Sequence, residues 1–123
     1  MNYTYNNKYY NQEEIQTYIN NYLEDNKEYI KENLDHNSDI NELHNMIFNT
    51  DYFLIGYYQC EQWLKDRTFE CIEIIQEYEK EHFGEVLTDL SSSENVVNMY
   101  TYIVGEELLY SMEDDLKEQS LII

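Results

Sequence analysis

The chain has 123 residues, a length that suits one domain with one hydrophobic core. Its 26 acidic and 7 basic residues give a net charge of −19 at pH 7, and because 42% of the residues are hydrophobic it is not a disordered acidic tail. This charge argues against direct binding to nucleic acid or to an anionic membrane, and it favours a basic, nucleic-acid-binding protein as the partner.

The composition also indicates an origin. The sequence has no Ala, no Pro and one Arg, whereas Asn, Tyr, Ile, Glu and Lys, whose codons are rich in A and T, are abundant. We therefore expect a low-GC bacterium or one of its phages. No apolar stretch of the signal-peptide type occurs in residues 1–12, so we expect a protein of the bacterial cytoplasm with its two cysteines reduced.

The N-terminal part of the chain changes character at Gln12. Residues 1–11 are rich in Asn and Tyr and show no amphipathic period, which predicts an irregular segment. Apolar residues then recur at helical spacing, and we predict a first helix from Gln12 to near Leu34. From residue 12 to 123 the pattern favours a single helical domain.

Two further helices are predicted in the middle of the chain. The second begins at Asp39, because the spacing from Asp39 to Glu42 is that of a capping box. The third covers residues 51–65 and is apolar on nearly all sides, which is typical of a central buried helix.

The fourth helix is predicted to begin with Thr68 as its cap, to run to Phe83 and to stop at Gly84. Its apolar spacing predicts that four residues face the core. These residues are Phe69, Ile72, Ile75 and Tyr78.

The last helix is predicted to begin at a cap formed by Ser92 or Ser93 and to end near Lys117, with Gly105 as a point of close packing. Its predicted core face comprises Val96, Met99, Tyr100, Ile103, Leu108 and Met112. The connector at 85–90 has the composition of one short strand or hairpin. The sequence thus predicts an all-α, compact, bundle-like domain of about five helices.

Rows of acidic residues recur on three of the predicted helices. Glutamates at helical spacing repel one another by a few tenths of a kcal/mol per pair, and ordinary solvated helices intersperse lysines instead. One row, Glu24, Glu28 and Glu32, lies on the first helix. The candidate partner-binding surface comprises Glu70, Glu73, Glu77, Glu81, Glu106, Glu107, Glu113, Asp114 and Asp115.

Enzymatic and metal sites have little support in the sequence. No Ser or Cys lies in a recognised nucleophile motif and no Gly-rich phosphate loop is present, so we expect a non-enzymatic protein without a cofactor. Glu79 and His82 form one Glu-x-x-His pair, but the di-iron bundle pattern requires two such pairs. A metal-binding helical protein using this pair is therefore the weakest of the alternatives.

The runs "FNTDYFLIGYYQCEQWL" (48–64) and "YEKEHFGEVLTDLSSSENVVNMYTYIVGEELL" (78–109) resemble a family of small, acidic, uncharacterised bacteriophage proteins. The resemblance covers about residues 40–110. It implies a phage origin and assigns no activity or functional residue. In size and charge the chain is also similar in type to phage DNA mimics that block restriction enzymes or CRISPR effectors.

Two hypotheses follow. The first is a phage inhibitor that presents carboxylates where DNA phosphates would lie in the groove of a host CRISPR–Cas effector such as Cas9, or of a restriction enzyme. One acidic helix carries about one charge per 4–5 Å against one per ~1.7 Å in duplex DNA, so several rows, or a homodimer, would have to converge. The second is an interaction adaptor, whose acidity only keeps it soluble and whose contacts come from Tyr3, Tyr5, Tyr9, Tyr10 or the tail "SLII".

Overall fold

The structure is a computed structural model that describes residues 9–33, 39–48 and 64–123, and it is all-α as predicted. No β-strand occurs in these ranges, so the short strand or hairpin near 85–90 is not formed. The third predicted helix falls outside the described residues, apart from its last two positions. The helices are α1 (Gln12–Asp25), α2 (Lys27–Glu32), α3 (Ile40–Phe48), α4 (Thr68–Phe83), α5 (Ser93–Ser111) and α6 (Glu113–Glu118), with a 3₁₀ turn at Lys65–Arg67.

The chain forms two compact units. The terminal unit comprises Met1–Thr50 together with Val104–Ile123, and the central unit comprises Asp51–Ile103. The boundary between them falls within α5. That residues 12–123 form a single domain stays a prediction.

The first predicted helix is two helices, because the chain departs from helical geometry at Asn26 (φ −115°, ψ 16°). The Asn26 side-chain amide donates to the Tyr22 carbonyl at 2.9 Å, which the Asn26 backbone N–H also contacts at 3.0 Å. Such local bonds from asparagine compete with the regular helix. Apolar residues on both sides of the break, including Leu23 and Ile30, remain buried.

Helix α3 begins as its sequence predicts. The Asp39 carboxylate accepts the backbone N–H of Glu42 at 2.9 Å, which is the Asp39 half of the predicted capping box. Two tyrosine hydroxyls donate to carbonyls at the other end of α3: Tyr18 to Ile47 at 3.3 Å, and Tyr22 more weakly to Met46 at 3.5 Å. Because they are partly buried and close to other tyrosines, the pKa values of Tyr18 and Tyr22 are raised.

The predicted close packing at Gly105 is confirmed within the terminal unit. A Cβ built on Gly105 would overlap the ring of Phe48, the last residue of α3. Glycine at this position therefore allows the aromatic ring to lie against the α5 backbone.

The predicted fifth helix starts at the Ser92 cap, whose hydroxyl accepts the Asn95 N–H at 3.3 Å, but it is interrupted at Met112 (φ −97°, ψ 4°). The Met112 N–H bonds the Leu109 carbonyl in a 3₁₀-type contact, and the Ser111 hydroxyl bonds the Leu108 carbonyl. These bonds tighten the last turn of α5 and end it before α6 begins. All the predicted core residues of this segment are buried except Met99, which is half-buried.

The C-terminal tail docks on the terminal unit through a Schellman motif that ends α6. Ser120 adopts the left-handed conformation (φ 61°), and its N–H bonds the Lys117 carbonyl at 3.1 Å. The Leu121 N–H bonds the Leu116 carbonyl at 2.9 Å, and both leucines are buried. Ile122 is buried as well, whereas Ile123 is exposed.

Helix α4 ends at Gly84 (φ 80°) as predicted, but its buried face differs from the predicted one. The buried residues are Cys71, Ile75 and Glu79. Phe69 is 82% exposed, and Ile72 and Tyr78 are only half-buried. Thr68 is the first helical residue, and Arg67 precedes it as the cap.

The connector between α4 and α5 is fixed by the buried Glu79, which is 2% exposed. One carboxylate oxygen accepts the backbone N–H groups of Leu87 and Thr88, both at 3.1 Å. The other accepts the Thr88 hydroxyl at 2.8 Å. A side chain therefore takes the backbone donors that a neighbouring strand would otherwise pair with, which explains why the segment is not a strand.

Candidate functional site

The acidic row on α4 is exposed to solvent. Glu73, Glu77 and Glu81 are all exposed and are separated by four residues. They are two residues away from Cys71, Ile75 and Glu79, and two residues of helix correspond to a rotation of about 200°. Burial of one face thus holds the three glutamates on the opposite face of α4.

Glu70, the fourth member of this row, differs from the others. Its carboxylate accepts a hydrogen bond from the Arg67 guanidinium at 3.0 Å, and the Glu70 side chain is 41% exposed. A surface ion pair of this kind contributes at most about 1 kcal/mol to stability. It does reduce the local negative charge at the start of α4.

The acids of α5 lie in the terminal unit and make contacts within it. A carboxylate oxygen of Glu106 lies 3.7 Å from Nδ1 of the buried His44, and the Glu106 side chain is 24% exposed. The Tyr9 hydroxyl donates a hydrogen bond to the Glu107 carboxylate. Both predicted surface acids therefore also hold parts of the terminal unit together.

Three acids, Glu113, Asp114 and Asp115, form the first turn of α6. Carboxylates at a helix N-terminus interact favourably with the unpaired backbone N–H groups and with the helix dipole. Asp114 is exposed, and the other two are half-buried. This placement gives the acidic run a structural role besides any role in binding.

The row on the N-terminal helices is exposed too. Glu24 lies on α1, and Glu28 and Glu32 lie on α2, beyond the break at Asn26. The described acidic rows thus fall into two groups, the row of α4 in the central unit and the remaining rows in the terminal unit.

The side chains of Glu79 and His82 make separate contacts in the structure. The Glu79 carboxylate holds the connector, as described above, and the His82 ring is exposed. His82 stacks on Tyr78 with ring centroids 4.0 Å apart, and its Nδ1 lies 2.8 Å from the Tyr78 carbonyl. Among the described residues no group of three or more His, Cys, Asp or Glu side chains could hold a metal ion.

Cys71 is a buried free thiol on α4. Burial raises the pKa of this thiol to about 12, and the neighbouring Glu70 carboxylate acts in the same direction. Because the thiolate is the reactive form of cysteine, Cys71 is inert in the folded protein at neutral pH. Cys60 lies outside the described residues.

The apolar surfaces differ from those that the sequence suggested for an adaptor. Leu121 and Ile122 of the tail are buried, and Tyr9 and Tyr10 are half-buried. Tyr3 and Tyr5 lie outside the described residues. Between residues 9 and 123, leaving out 34–38 and 49–63, the exposed large apolar side chains are Tyr29, Phe69, Phe83, Leu87, Tyr110 and Ile123.

Phe83 and Leu87 were not among the predicted site residues, yet both line a groove in the central unit. The signal for Phe83 in the sequence was its position at the end of a predicted helix, next to Gly84, whereas no pattern pointed to Leu87.

Comparisons with known proteins found no match. No protein-family model, no curated protein and no solved structure matches the chain. No helix among the described residues has the length and apolar character needed to cross a membrane.

Proposed function

We propose that the protein is a non-enzymatic, phage-encoded inhibitor that acts as an acidic DNA mimic in the cationic groove of a host DNA-binding defence protein. The observation that carries this proposal is the exposed row Glu73, Glu77 and Glu81, which lies on the face of α4 opposite its buried residues. A row of like charges costs helix stability, so its presence on a folded helix requires a benefit elsewhere.

The amount of charge sets a condition on this mechanism. The four glutamates from Glu70 to Glu81 are spread over about 16 Å of helix. This density of charge is too low to match duplex DNA by itself. The mimic therefore needs the candidate acids of α5 and α6, or a second copy of the chain, in the same groove. A CRISPR–Cas effector such as Cas9 is the first target to test, and a restriction enzyme is the second.

Competition with DNA tests the proposal. The protein is titrated against a candidate nuclease bound to labelled DNA at several salt concentrations between about 50 and 200 mM. We expect the inhibition constant to weaken steeply with salt, since a DNA mimic exploits the same electrostatic attraction as DNA. Binding that is unchanged by salt would exclude the mimic.

A matched pair of variants locates the surface. Glu73→Gln/Glu77→Gln/Glu81→Gln should reduce the slope of log K against log salt by up to about 3 and weaken inhibition. Glu24→Gln/Glu28→Gln/Glu32→Gln removes the same charge from exposed positions outside the candidate surface and should have a smaller effect. Equal effects of the two variants would mean that net charge alone acts.

The adaptor hypothesis remains the second candidate, because Phe69 and Phe83 on α4 are 82% and 53% exposed. An adaptor would bind its partner through such apolar surface with little dependence on salt. Deletion of residues 1–11 distinguishes the mimic from an adaptor that binds through the N-terminal tyrosines, since only that adaptor should lose its partner.

A further inference from the structure

An open groove of about 630 Å³ lies within the central unit. The last turn of α4, the connector and the first half of α5 form it. Its apolar lining comes from Phe83, Leu87, Met99 and Tyr102, and its polar lining includes Asp89 and Asn98. This volume is in the range of grooves that take a small ligand or a few side chains of a partner.

Two of the apolar side chains of the groove are exposed to water. Phe83 is 53% exposed and Leu87 is 61% exposed. A partner that covers both side chains removes their remaining apolar area from water, which favours binding. Met99 adds a flexible side chain that can adapt to the shape of a partner.

The groove is fixed in place before any partner arrives. Glu79 accepts the backbone N–H groups of Leu87 and Thr88, so the segment that carries the exposed Leu87 is anchored to α4 by a buried carboxylate. A turn follows in which Asp89 accepts the Ser91 hydroxyl and backbone N–H. A surface held in this way loses little conformational entropy on binding.

The charge around the groove selects the kind of partner. The described lining of the groove contains two acids, Glu79 and Asp89, and no Lys or Arg side chain. The Ser91 hydroxyl and N–H hold the pKa of Asp89 below its ordinary value, so this lining carboxyl is ionised at neutral pH. The C-terminal end of α4, which also favours cations, lies at Phe83.

From these observations we propose that the groove binds a cationic amphipathic helix of a partner protein, with apolar side chains against Phe83 and Leu87 and Lys or Arg side chains beside Asp89. This is a helix-in-groove contact, with the apolar stripe of the ligand supplying affinity and its charges supplying selectivity. The proposal does not depend on the acidic row of α4 acting as a DNA mimic, because the groove and that row are different surfaces.

The probe is a labelled peptide of Leu and Lys, about 18 residues long because isolated helices shorter than about 12–15 residues are marginal in water, with Leu at helical i, i+3, i+4 and i+7 spacing. A scrambled peptide of equal composition and charge is the comparison. Fluorescence anisotropy with the full chain should show the patterned peptide binding at least roughly tenfold tighter than the scrambled one. Equal binding of the two peptides would overturn the proposal.

Variants of the lining residues test the groove itself. Phe83→Ser/Leu87→Ser should reduce binding of the patterned peptide to the level of the scrambled one, while Phe69→Ser, which removes an exposed ring outside the groove lining, should leave it unchanged. Asp89→Asn should weaken binding and make it less dependent on salt. Circular dichroism confirms that each variant is folded.

Two further outcomes would refute the proposal that the groove binds a helix of a partner protein. Loss of binding in Phe69→Ser equal to that in Phe83→Ser/Leu87→Ser would show non-specific apolar association and refute a groove site. Sedimentation that shows a wild-type dimer, dissociated by Phe83→Ser/Leu87→Ser, would identify a second copy of this chain as the occupant and also refute it. If the unmodified protein did not compete with DNA, the DNA-mimic proposal would fail, whereas these peptide-binding and sedimentation results would be unaffected.

Discussion

Glu79 is buried, although glutamate side chains are usually exposed. Glutamate is seldom fully buried unless its charge is satisfied, and here one hydroxyl and two backbone N–H groups satisfy it. Its partners come from a connector eight and nine residues further along the chain. The helical pattern of the sequence contains no information about that contact. From the sequence, Glu79 was therefore considered only as one half of a possible metal-binding pair with His82.

Replacing Glu79 by Ala should lower the free energy of unfolding by about 1–3 kcal/mol, because the connector donors lose their acceptor. Urea denaturation measures the change. Glu77→Ala, on the exposed face of the same helix, is the control and should stay within about 0.5 kcal/mol of the wild type. Equal losses in the two variants would contradict the anchoring role of Glu79.

Gly105→Ala should destabilise the protein by about 1–3 kcal/mol, since the new methyl group overlaps the Phe48 ring. Combining it with Phe48→Leu should recover part of that loss, which a double-mutant cycle detects as a coupling energy. Gly84→Ala is destabilised by its positive φ instead, so its cost should be independent of Phe48. A cycle without coupling would mean that the cost at Gly105 is not steric.

At the scale of elements, local signals predicted where helices begin and end. The Asp39 cap, the Ser92 cap and Gly84 each act within a few residues of their own position, and the structure confirms them. The interruptions at Asn26 and Met112 were missed, because the apolar spacing continues through both and conceals a change in backbone conformation.

The orientation of α4 was harder to predict than its ends. The sequence favoured Phe69, Ile72 and Tyr78 as core residues on hydrophobicity alone. The structure buries Cys71 and Glu79 instead, because a helix face is selected by what packs against it. Glu73, Glu77 and Glu81 are exposed, and they lie away from both the predicted and the observed buried face of α4, so this difference in orientation does not affect the acidic row.

The end of α6 offers a stabilising substitution. Ser120→Gly should raise the free energy of unfolding by about 0.5–1 kcal/mol, because Gly adopts the left-handed conformation without a Cβ clash. Ser120→Ala retains a Cβ and should bring no gain, which makes it the matched control in thermal or urea denaturation. A gain in the Ala variant as large as that in the Gly variant would refute the conformational explanation.

At the scale of the whole molecule, a net charge of −19 opposes the compact state through repulsion. Raising the salt concentration from 0.01 to 0.1 M shortens the screening length from about 30 to about 10 Å, so the midpoint of urea unfolding should increase. The increase should be smaller in Glu73→Gln/Glu77→Gln/Glu81→Gln, which carries less negative charge. A midpoint that falls with salt would mean that ion pairs, rather than repulsion, dominate the stability.

The terminal unit is assembled from both ends of the chain, and this affects its biosynthesis. Phe48 packs at Gly105, Gln16 lies 3.3 Å from the sulfur of Met112, and Asn41 bonds Tyr110 at 3.1 Å. On the ribosome, α1 and α3 emerge well before these partners have been translated. The nascent apolar faces of α1 and α3 must therefore wait until residues 104–123 have been synthesised, so the terminal unit completes its folding only after that segment is available.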